Sequence, residues 1–106
     1  MNTQDVMYWE CHVTISPVLD QLRLDLLNSI STSYGFKVAK LLMVKENNES
    51  LSTKDSFMTS HAPPDKLDDL KNRMNLLCQQ LESNLFEVWR FKIEGIVLDT
   101  KYNSNV

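Results

Sequence analysis

Apolar and polar residues alternate in the first patterned stretch of the chain, which reads YWECHVTI from Tyr8 to Ile15. A period of two is typical of a half-buried strand, because successive side chains point to opposite faces of a sheet. The segment therefore predicts a first strand. Its core-facing set is Trp9, Cys11, Val13 and Ile15, and its outward set is Tyr8, Glu10, His12 and Thr14.

A helical period follows and predicts a first helix that begins at Ser16 and runs to about Tyr34. Ser16 offers a hydroxyl for the N-cap, and Pro17 suits the first helical position. Gly35 is expected to end the helix in the left-handed conformation. The apolar stripe expected to face the core is Leu19, Leu22, Leu26, Leu27 and Ile30.

Two further strands are predicted, Phe36–Lys45 and Lys54–His61, separated by a polar loop over 46–53. The three lysines of the earlier strand suit the edge of a sheet, where charge discourages unwanted pairing. They are Lys37, Lys40 and Lys45.

Two orientations are open for the third strand. If Met58 faces the core, the outward set is Asp55, Phe57, Thr59 and His61; if Phe57 is buried, it is Ser56, Met58 and Ser60. The first orientation is preferred because it keeps a carboxylate and an imidazole out of the core.

The clearest helical pattern begins after Pro63 and Pro64 and is predicted to end at Asn84. Its stripe is Leu67, Leu70, Met74, Leu77, Cys78 and Leu81. A last strand lies within 85–98, and Gly95 is expected to bend or end it. On one side of this strand are Trp89, Phe91 and Ile93, and on the other are Val88, Arg90, Lys92 and Glu94.

The predicted order of elements gives an α+β fold, the ferredoxin-like βαββαβ sandwich. Its four-stranded antiparallel sheet has the order 4-1-3-2, and both helices cover one face. We expect a single domain over 1–106, with its core at about 7–99 and frayed termini. No residue-level repeat is recognised between the two halves.

Charge and cysteine content limit the ligands and the cellular location that can be expected. The chain has 106 residues and a net charge of −3, which argues against duplex DNA as a ligand. Cys11 and Cys78 are expected to be reduced thiols, which predicts a cytoplasmic location. The N-terminal stretch is too polar for a signal peptide, and no apolar run is long enough to span a membrane, so no membrane association is predicted. No cofactor is predicted.

The outward side chains of the central strands carry the candidate chemistry. Histidine suits proton transfer near neutral pH, so His12 is predicted as the acid or base, and His61 as a second acid or base or as an orienting group. Thr14 and Thr59 are predicted hydrogen-bond donors. The remaining ligand-binding set comprises the phosphate-holding cations Arg90 and Lys92, together with Glu10 and Tyr8.

A metal site is not predicted. Glu10, His12 and His61 would supply three ligands, but no recognised metal spacing is present. Motifs for phosphate-loop, dinucleotide, nucleophile-elbow, zincin and calcium sites are also absent from the sequence.

The segment His12-Val13-Thr14 resembles one H-x-T motif of the 2H phosphoesterases, which pair two such motifs to cleave or ligate 2′-linked or cyclic phosphodiesters without metal. The resemblance implies acid–base work by His12 and hydrogen bonding by Thr14. The second motif is missing, because Ala62 and Pro63 follow His61 where a hydroxyl residue would be required.

The predicted fold is also similar to that of the RNA-recognition motif, which stacks bases on aromatic residues of its two central strands. This similarity implies stacking by Tyr8 and Phe57. The third strand departs from that family, because it lacks the signature rich in glycine and aromatic residues.

Two hypotheses of different classes follow. In the first, the open sheet face binds, and as an enzyme would process, a nucleotide or RNA-like ligand that carries phosphate. In the second, the same face is a protein interface of a non-catalytic homodimer or regulatory module, anchored by Tyr8 and Phe57. The sequence leaves open whether the protein is an enzyme.

Overall fold

A computed structural model describes residues 6–39 and 56–97 of the chain. Its elements, in chain order, are β1 (Val6–Ile15), α1 (Gln21–Ser33), β2 (Lys37–Val38), β3 (Ser56–Ala62), a single 3-10 turn (Pro64–Lys66), α2 (Leu67–Ser83) and β4 (Val88–Val97). The four strands form one antiparallel sheet in the order β2-β3-β1-β4. The predicted α+β class and strand order are therefore confirmed.

One core cluster joins both helices to a single face of the sheet. The core-facing set of β1 is buried at Cys11, Val13 and Ile15, as the alternation predicts. β3 contributes Met58 to the same cluster. The helices contribute Leu24, Leu27, Leu70, Met74, Leu77 and Leu81. The opposite face of the sheet, which we call the open face, carries the other set of side chains from each strand.

Met58 decides the orientation of β3. Its side chain is fully buried, and Ser56 and Ser60 lie on the same side. Phe57, Thr59 and His61 consequently belong to the open face, which confirms the preferred orientation of the strand. Asp55 and Lys54 lie outside the described residues, as do Lys40, Lys45 and the predicted loop over 46–53.

The start of α1 differs from the prediction. Asp20, not Ser16, is the N-cap, and its Oδ1 accepts a hydrogen bond of 2.8 Å from the backbone N–H of Arg23. The backbone N–H of Ser16 instead donates to the carbonyl of Glu87, so the residue extends the pairing between β1 and β4.

The predicted stripe of α1 is accordingly wrong at its first two positions. Leu22 is 80% exposed and Leu19 is 65% exposed. The other three positions are confirmed, because Leu27 is fully buried and Leu26 and Ile30 pack against the core. Leu24, which was not predicted, is buried as well, and Val18 joins the core ahead of the helix.

Both helices end in the same way. Gly35 and Leu85 follow the two C-caps and adopt left-handed φ values of 77° and 69°. The next residue in each case is a phenylalanine whose N–H reaches back to the last turn, Phe36 to Ser31 and Phe86 to Leu81. These are the hydrogen bonds of the Schellman motif, which satisfies carbonyls at a helix end.

An arginine from each helix packs on the phenylalanine that follows the other helix. Arg23 of α1 lies 3.9 Å from the ring centre of Phe86, and Arg73 of α2 lies 5.9 Å from that of Phe36. Each of these residues is fifty positions from its counterpart in the other half, as Gly35 is from Leu85. The two halves therefore share a residue-level correspondence that the sequence analysis missed.

β4 does not end at Gly95. The strand runs through Gly95 to Val97, and Gly95 is the direct partner of Trp9 on β1. A Cβ at this position would lie 3.0 Å from Cζ3 of Trp9 and 3.1 Å from Cγ2 of Val6. The glycine thus makes room for the indole. No helix of the described residues is long and apolar enough to cross a membrane.

Candidate functional site

The register of the central strands places both histidines in neighbouring rows of the open face. His61 of β3 lies directly opposite Glu10 of β1, and Thr59 lies directly opposite His12. The two imidazoles are therefore diagonal neighbours across the β1–β3 pair. Diagonal neighbours on one face lie close enough for long side chains to interact.

One carboxylate oxygen is shared between the imidazoles. Oε2 of Glu10 lies 3.3 Å from Nε2 of His61 and 3.7 Å from Nε2 of His12. Glu10 and His12 are partly buried, whereas His61 is more open to solvent. The carboxylate oxygen therefore lies between the two rings and is close to both.

Two aromatic rings enclose this cluster. The ring of Tyr8 meets that of His61 edge-on at a centroid distance of 5.4 Å, and the ring of Phe57 meets that of His12 edge-on at 5.9 Å. Four planar rings thus occupy the two central strands. Such a row of rings, which we call the ring cluster, offers flat surfaces on which nucleic acid bases can stack.

Cations flank the ring cluster on both sides. Lys92 of β4 is the partner of His12, and Arg90 is the partner of Thr14. On the other side, Lys37 of β2 is the partner of Thr59. On the described open face, these three cations outnumber the two carboxylates, Glu10 and Glu94, whereas the chain as a whole has a net charge of −3.

Lys92 is engaged with a neighbour on its own strand. Its Nζ lies 3.2 Å from Oε1 of Glu94, and both side chains are about half exposed. Among the described residues, Glu10 contacts imidazoles rather than either β4 cation. A cross-strand ion pair between Glu10 and Arg90 or Lys92, the ordinary stabilising role for such a row, is therefore not formed.

The two threonines differ in access. Thr14 is partly exposed between Phe57 and Arg90. Oγ1 of Thr59 is buried and has no hydrogen-bond partner among the described residues. A ligand can reach this hydroxyl only if a neighbouring side chain moves.

Arg73 supports the site from the helix side of the sheet and was missed by the sequence analysis. Its Nη2 donates to the carbonyl of His61 at 3.1 Å, and its Nη1 donates to Oγ of Ser60 at 2.7 Å and to the carbonyl of Tyr34 at 3.1 Å. Its Nε donates to Oδ2 of Asp69 at 3.1 Å. These bonds fix the end of β3 that carries the second imidazole. No sequence signal could have shown them, because three of the four acceptors come from other elements.

Neither cysteine belongs to the site. Cys11 is buried beneath the sheet, and Cys78 lies half-buried on α2. Burial raises the pKa of Cys11 to about 12 and that of Cys78 to about 11. Both sulfurs are therefore neutral thiols, which are poor nucleophiles and poor metal ligands.

Within residues 6–39 and 56–97, no group of three or more His, Cys, Asp or Glu side chains is arranged to hold a metal ion. The chemistry available on the open face is thus that of the imidazoles, one shared carboxylate, the flanking cations and the rings. No protein-family model matches the chain, and no curated protein matches it either. The candidate site is consequently defined by its own geometry.

Proposed function

We propose that the open face binds a ligand that carries phosphate, either a nucleotide or a single-stranded, RNA-like chain. The observation that carries the proposal is the convergence of His12, His61, Tyr8 and Phe57 on the two central strands, with cations on both flanking strands. Rings provide stacking that tolerates any base, and cations neutralise the backbone.

Each group has a role in this proposal. Arg90 and Lys92 hold phosphate, and Lys92 exchanges Glu94 for the ligand when it does so. Thr14, the partner of Arg90 across β1 and β4, donates a hydrogen bond to the phosphate. Tyr8 stacks on a base at the end of the ring cluster where the ring is more exposed. Thr59 contributes only after the side chains around its hydroxyl shift.

The proposal includes the ferredoxin-like βαββαβ sandwich as the fold and the cytoplasm as the location. The order of elements, the sheet order and the correspondence between the halves support the fold. The free thiols support the location. The site would then take one imidazole from each half, as the resemblance of His12 and Thr14 to one H-x-T motif implies.

Titration of the protein with inorganic phosphate, adenosine monophosphate and a short oligouridylate, followed by NMR, tests binding. We expect saturable shifts of the ring resonances of His12 and His61 and of the side-chain resonances of Arg90 and Lys92. Duplex DNA should produce none. If these resonances stay in place with every probe, the proposal is wrong.

A pair of variants makes the same test quantitative. Arg90→Ala should weaken oligouridylate binding roughly tenfold, because a charge-assisted phosphate contact is lost. Lys71→Ala removes an exposed cation from α2 and should leave the affinity unchanged. Equal effects of the two variants would indicate general charge attraction without a site on the open face.

The two imidazoles also permit catalysis on such a ligand. One neutral imidazole would take the proton of a ribose 2′-hydroxyl while that oxygen bonds to phosphorus. The other, protonated, would give its proton to the 5′-oxygen as its bond to phosphorus breaks. The products would be a 2′,3′-cyclic phosphate and a free 5′-hydroxyl.

Incubation of oligouridylate with the protein and analysis of the ends tests this step. We expect the cyclic phosphate to appear, and His12→Ala and His61→Ala each to abolish it while binding persists. If no product forms with the unaltered protein, the open face is a binding surface and not a catalytic one.

The alternative of a protein interface on the open face has less support. On the open face, Phe57 is half-buried against His12 and Tyr8 is 36% exposed. The more exposed aromatic residues, Trp89 at 50% and Phe91 at 51%, lie on β4.

A further inference from the structure

The outer edge of β4 is long and apolar on one side. β4 contains ten residues, and among the described residues it pairs only with β1. Phe91 is the partner of the buried Val13 and therefore points to the helix side, whereas Trp89 has no partner on β1, because the register shifts there and Val88 pairs with Ile15. Even so, Trp89 is 50% exposed and Phe91 is 51% exposed, because the helices in the described ranges do not cover the edge strand.

An uncovered edge of this kind can pair with another strand, and charged side chains normally prevent it. β4 carries Arg90, Lys92 and Glu94 on its open-face side. Two of these are cations and one is a carboxylate, so the edge is not uniformly charged. Whether it can pair with itself depends on which charges would face each other.

We propose that a second copy of this chain pairs with β4, strand to antiparallel strand, about a twofold axis through Ile93. In that register Lys92 lies opposite Glu94 of the second copy, and Glu94 lies opposite its Lys92. On the helix side, Ile93 lies opposite itself and Phe91 lies opposite Gly95. A twofold interface of this type repeats every favourable pair.

Other twofold registers of the same strand are disfavoured by charge. An axis through Arg90, Lys92 or Glu94 places that residue opposite its own copy. An axis through Phe91 places Arg90 opposite Lys92 twice. Opposite charges on facing positions stabilise a strand pair and like charges destabilise it. Among axes from Arg90 to Glu94, the one through Ile93 alone opposes no like charges.

Apolar complementarity favours the same register. The ring of Phe91 would cover the backbone at Gly95 of the second copy, where no side chain stands in the way. The exposed ring of Phe91 would then be buried in an interface that also pairs the outer backbone groups of β4, which have no strand partner within residues 6–39 and 56–97.

The dimer would leave the candidate site accessible. A twofold axis perpendicular to the sheet joins two four-stranded sheets into one continuous sheet with all helices on the same side. Both ring clusters would then lie on one broad open face. The dimer contacts are backbone groups and side chains of β4, and association is measured without ligand, although Lys92 is shared with the proposed phosphate site.

Charge reversal with complementation tests the proposal. Lys92→Glu places a second carboxylate opposite Glu94, and Glu94→Lys places a second ammonium group opposite Lys92, twice per dimer in each case. Sedimentation equilibrium should show a dimer for the unaltered protein and a dissociation constant raised about tenfold or more in each variant. An equimolar mixture of the two variants should restore the dimer, because every facing pair is again of opposite sign.

The mixture keeps the test decisive, since misfolded chains would not regain association when combined. Matched controls are Lys71→Glu and Glu82→Lys, which make the same charge changes on exposed positions of α2 and should leave association unchanged. The proposal is overturned if the unaltered protein is a monomer at millimolar concentration. It is equally overturned if the single variants dimerise normally, or if their mixture is no more dimeric than either variant alone.

Discussion

Glu10 and His61 face each other directly across β1 and β3, with 3.3 Å between Oε2 and Nε2. The same oxygen lies 3.7 Å from Nε2 of His12, so one negative charge is placed between the two imidazoles. A phosphate bound beside these rings would be attracted by protonated imidazole and repelled by the carboxylate. The carboxylate of Glu10 would therefore position the two imidazoles and at the same time weaken the binding of the proposed phosphate ligand.

Replacement of the carboxylate should consequently strengthen phosphate binding. Glu10→Gln keeps the size of the side chain and removes its charge, and we expect roughly three- to tenfold tighter binding of adenosine monophosphate at low salt. Isothermal titration calorimetry measures the change. Glu82→Gln, on the exposed side of α2, is the matched control. Unchanged or weaker binding in Glu10→Gln would show that phosphate does not bind near the imidazoles.

Stacking can be separated from charge at Tyr8. Tyr8→Ala removes the more exposed ring of the ring cluster and should weaken oligouridylate binding by about 1–3 kcal/mol, the usual contribution of one stacked base. Binding of inorganic phosphate should not change, because it has no base. Fluorescence anisotropy with labelled oligouridylate provides the measurement. Phe91→Ala removes an exposed aromatic residue from the helix side of the sheet, and an equal loss there would contradict a stacking role specific to the open face.

The left-handed residues after the two helices should respond oppositely to substitution. Leu85 is 85% exposed, so Leu85→Gly loses little burial, relieves a left-handed φ of 69°, and should raise the free energy of unfolding by about 1 kcal/mol. Gly35→Ala should lower it by at least about 1 kcal/mol, because a Cβ would lie 2.8 Å from Nη1 of Arg73. Urea unfolding measures both. Destabilisation by Leu85→Gly would mean that the leucine makes contacts that outweigh the backbone cost.

Arg73 should be a major contributor to stability despite its place on a largely polar helix face. Arg73→Met keeps the apolar stem and removes the guanidinium, leaving the carbonyls of Tyr34 and His61 and the hydroxyl of Ser60 without this donor. We expect a loss of about 2–3 kcal/mol in urea unfolding. Lys71→Met, two positions earlier on α2, should change the free energy by less than about 0.5 kcal/mol. Similar small effects of both variants would rule out the proposed anchoring role.

The two thiols predict a loss of stability in alkali. Burial raises the pKa of Cys11 to about 12 and that of Cys78 to about 11, whereas the ordinary value is 9.0. The neutral thiols therefore favour the folded state fully below pH 9, and this contribution is lost as the pH rises towards 11–12. Urea unfolding at pH 8 and pH 10 should show a smaller decrease in a Cys11→Val, Cys78→Ala variant than in the unaltered protein. Equal decreases would show that the thiols do not contribute.

The sequence predicted most of what depends on a single element. The alternation in β1 identified its buried set, and the burial of Met58 confirmed the preferred orientation of β3. The stripe of α2 was also correct at Leu70, Met74, Leu77 and Leu81. These successes have one cause, because the period of side-chain burial follows directly from strand or helix geometry.

The errors arose where an element is defined by another part of the chain. The stripe of α1 was wrong at Leu19 and Leu22, because Ser16 hydrogen-bonds to Glu87 of the other half and the helix begins only after Asp20. Gly95 was taken as a break because its partner Trp9 is distant in sequence. The correspondence of Arg23 and Arg73 was missed because the remaining residues of the two halves differ.

The candidate site was likewise predictable within each strand but not between strands. Alternation along each strand identified the side chains of the open face, but it could not show that Glu10 would contact imidazoles instead of Arg90 or Lys92. That choice depends on the register between β1 and β3, since a shift of two residues would keep every face and change every neighbour.

Alternation along β1 also constrains how this protein can change over evolutionary time. Its even-numbered positions carry the surface chemistry and its odd-numbered positions carry the hydrophobic interior. Point substitutions at the even positions can therefore change the surface chemistry with little damage to folding. Insertion or deletion of one residue within the strand would instead exchange the two sets, turning histidine and glutamate inward and cysteine and valine outward. Changes of the open face should therefore arise by replacement along β1, while changes of length should accumulate outside it.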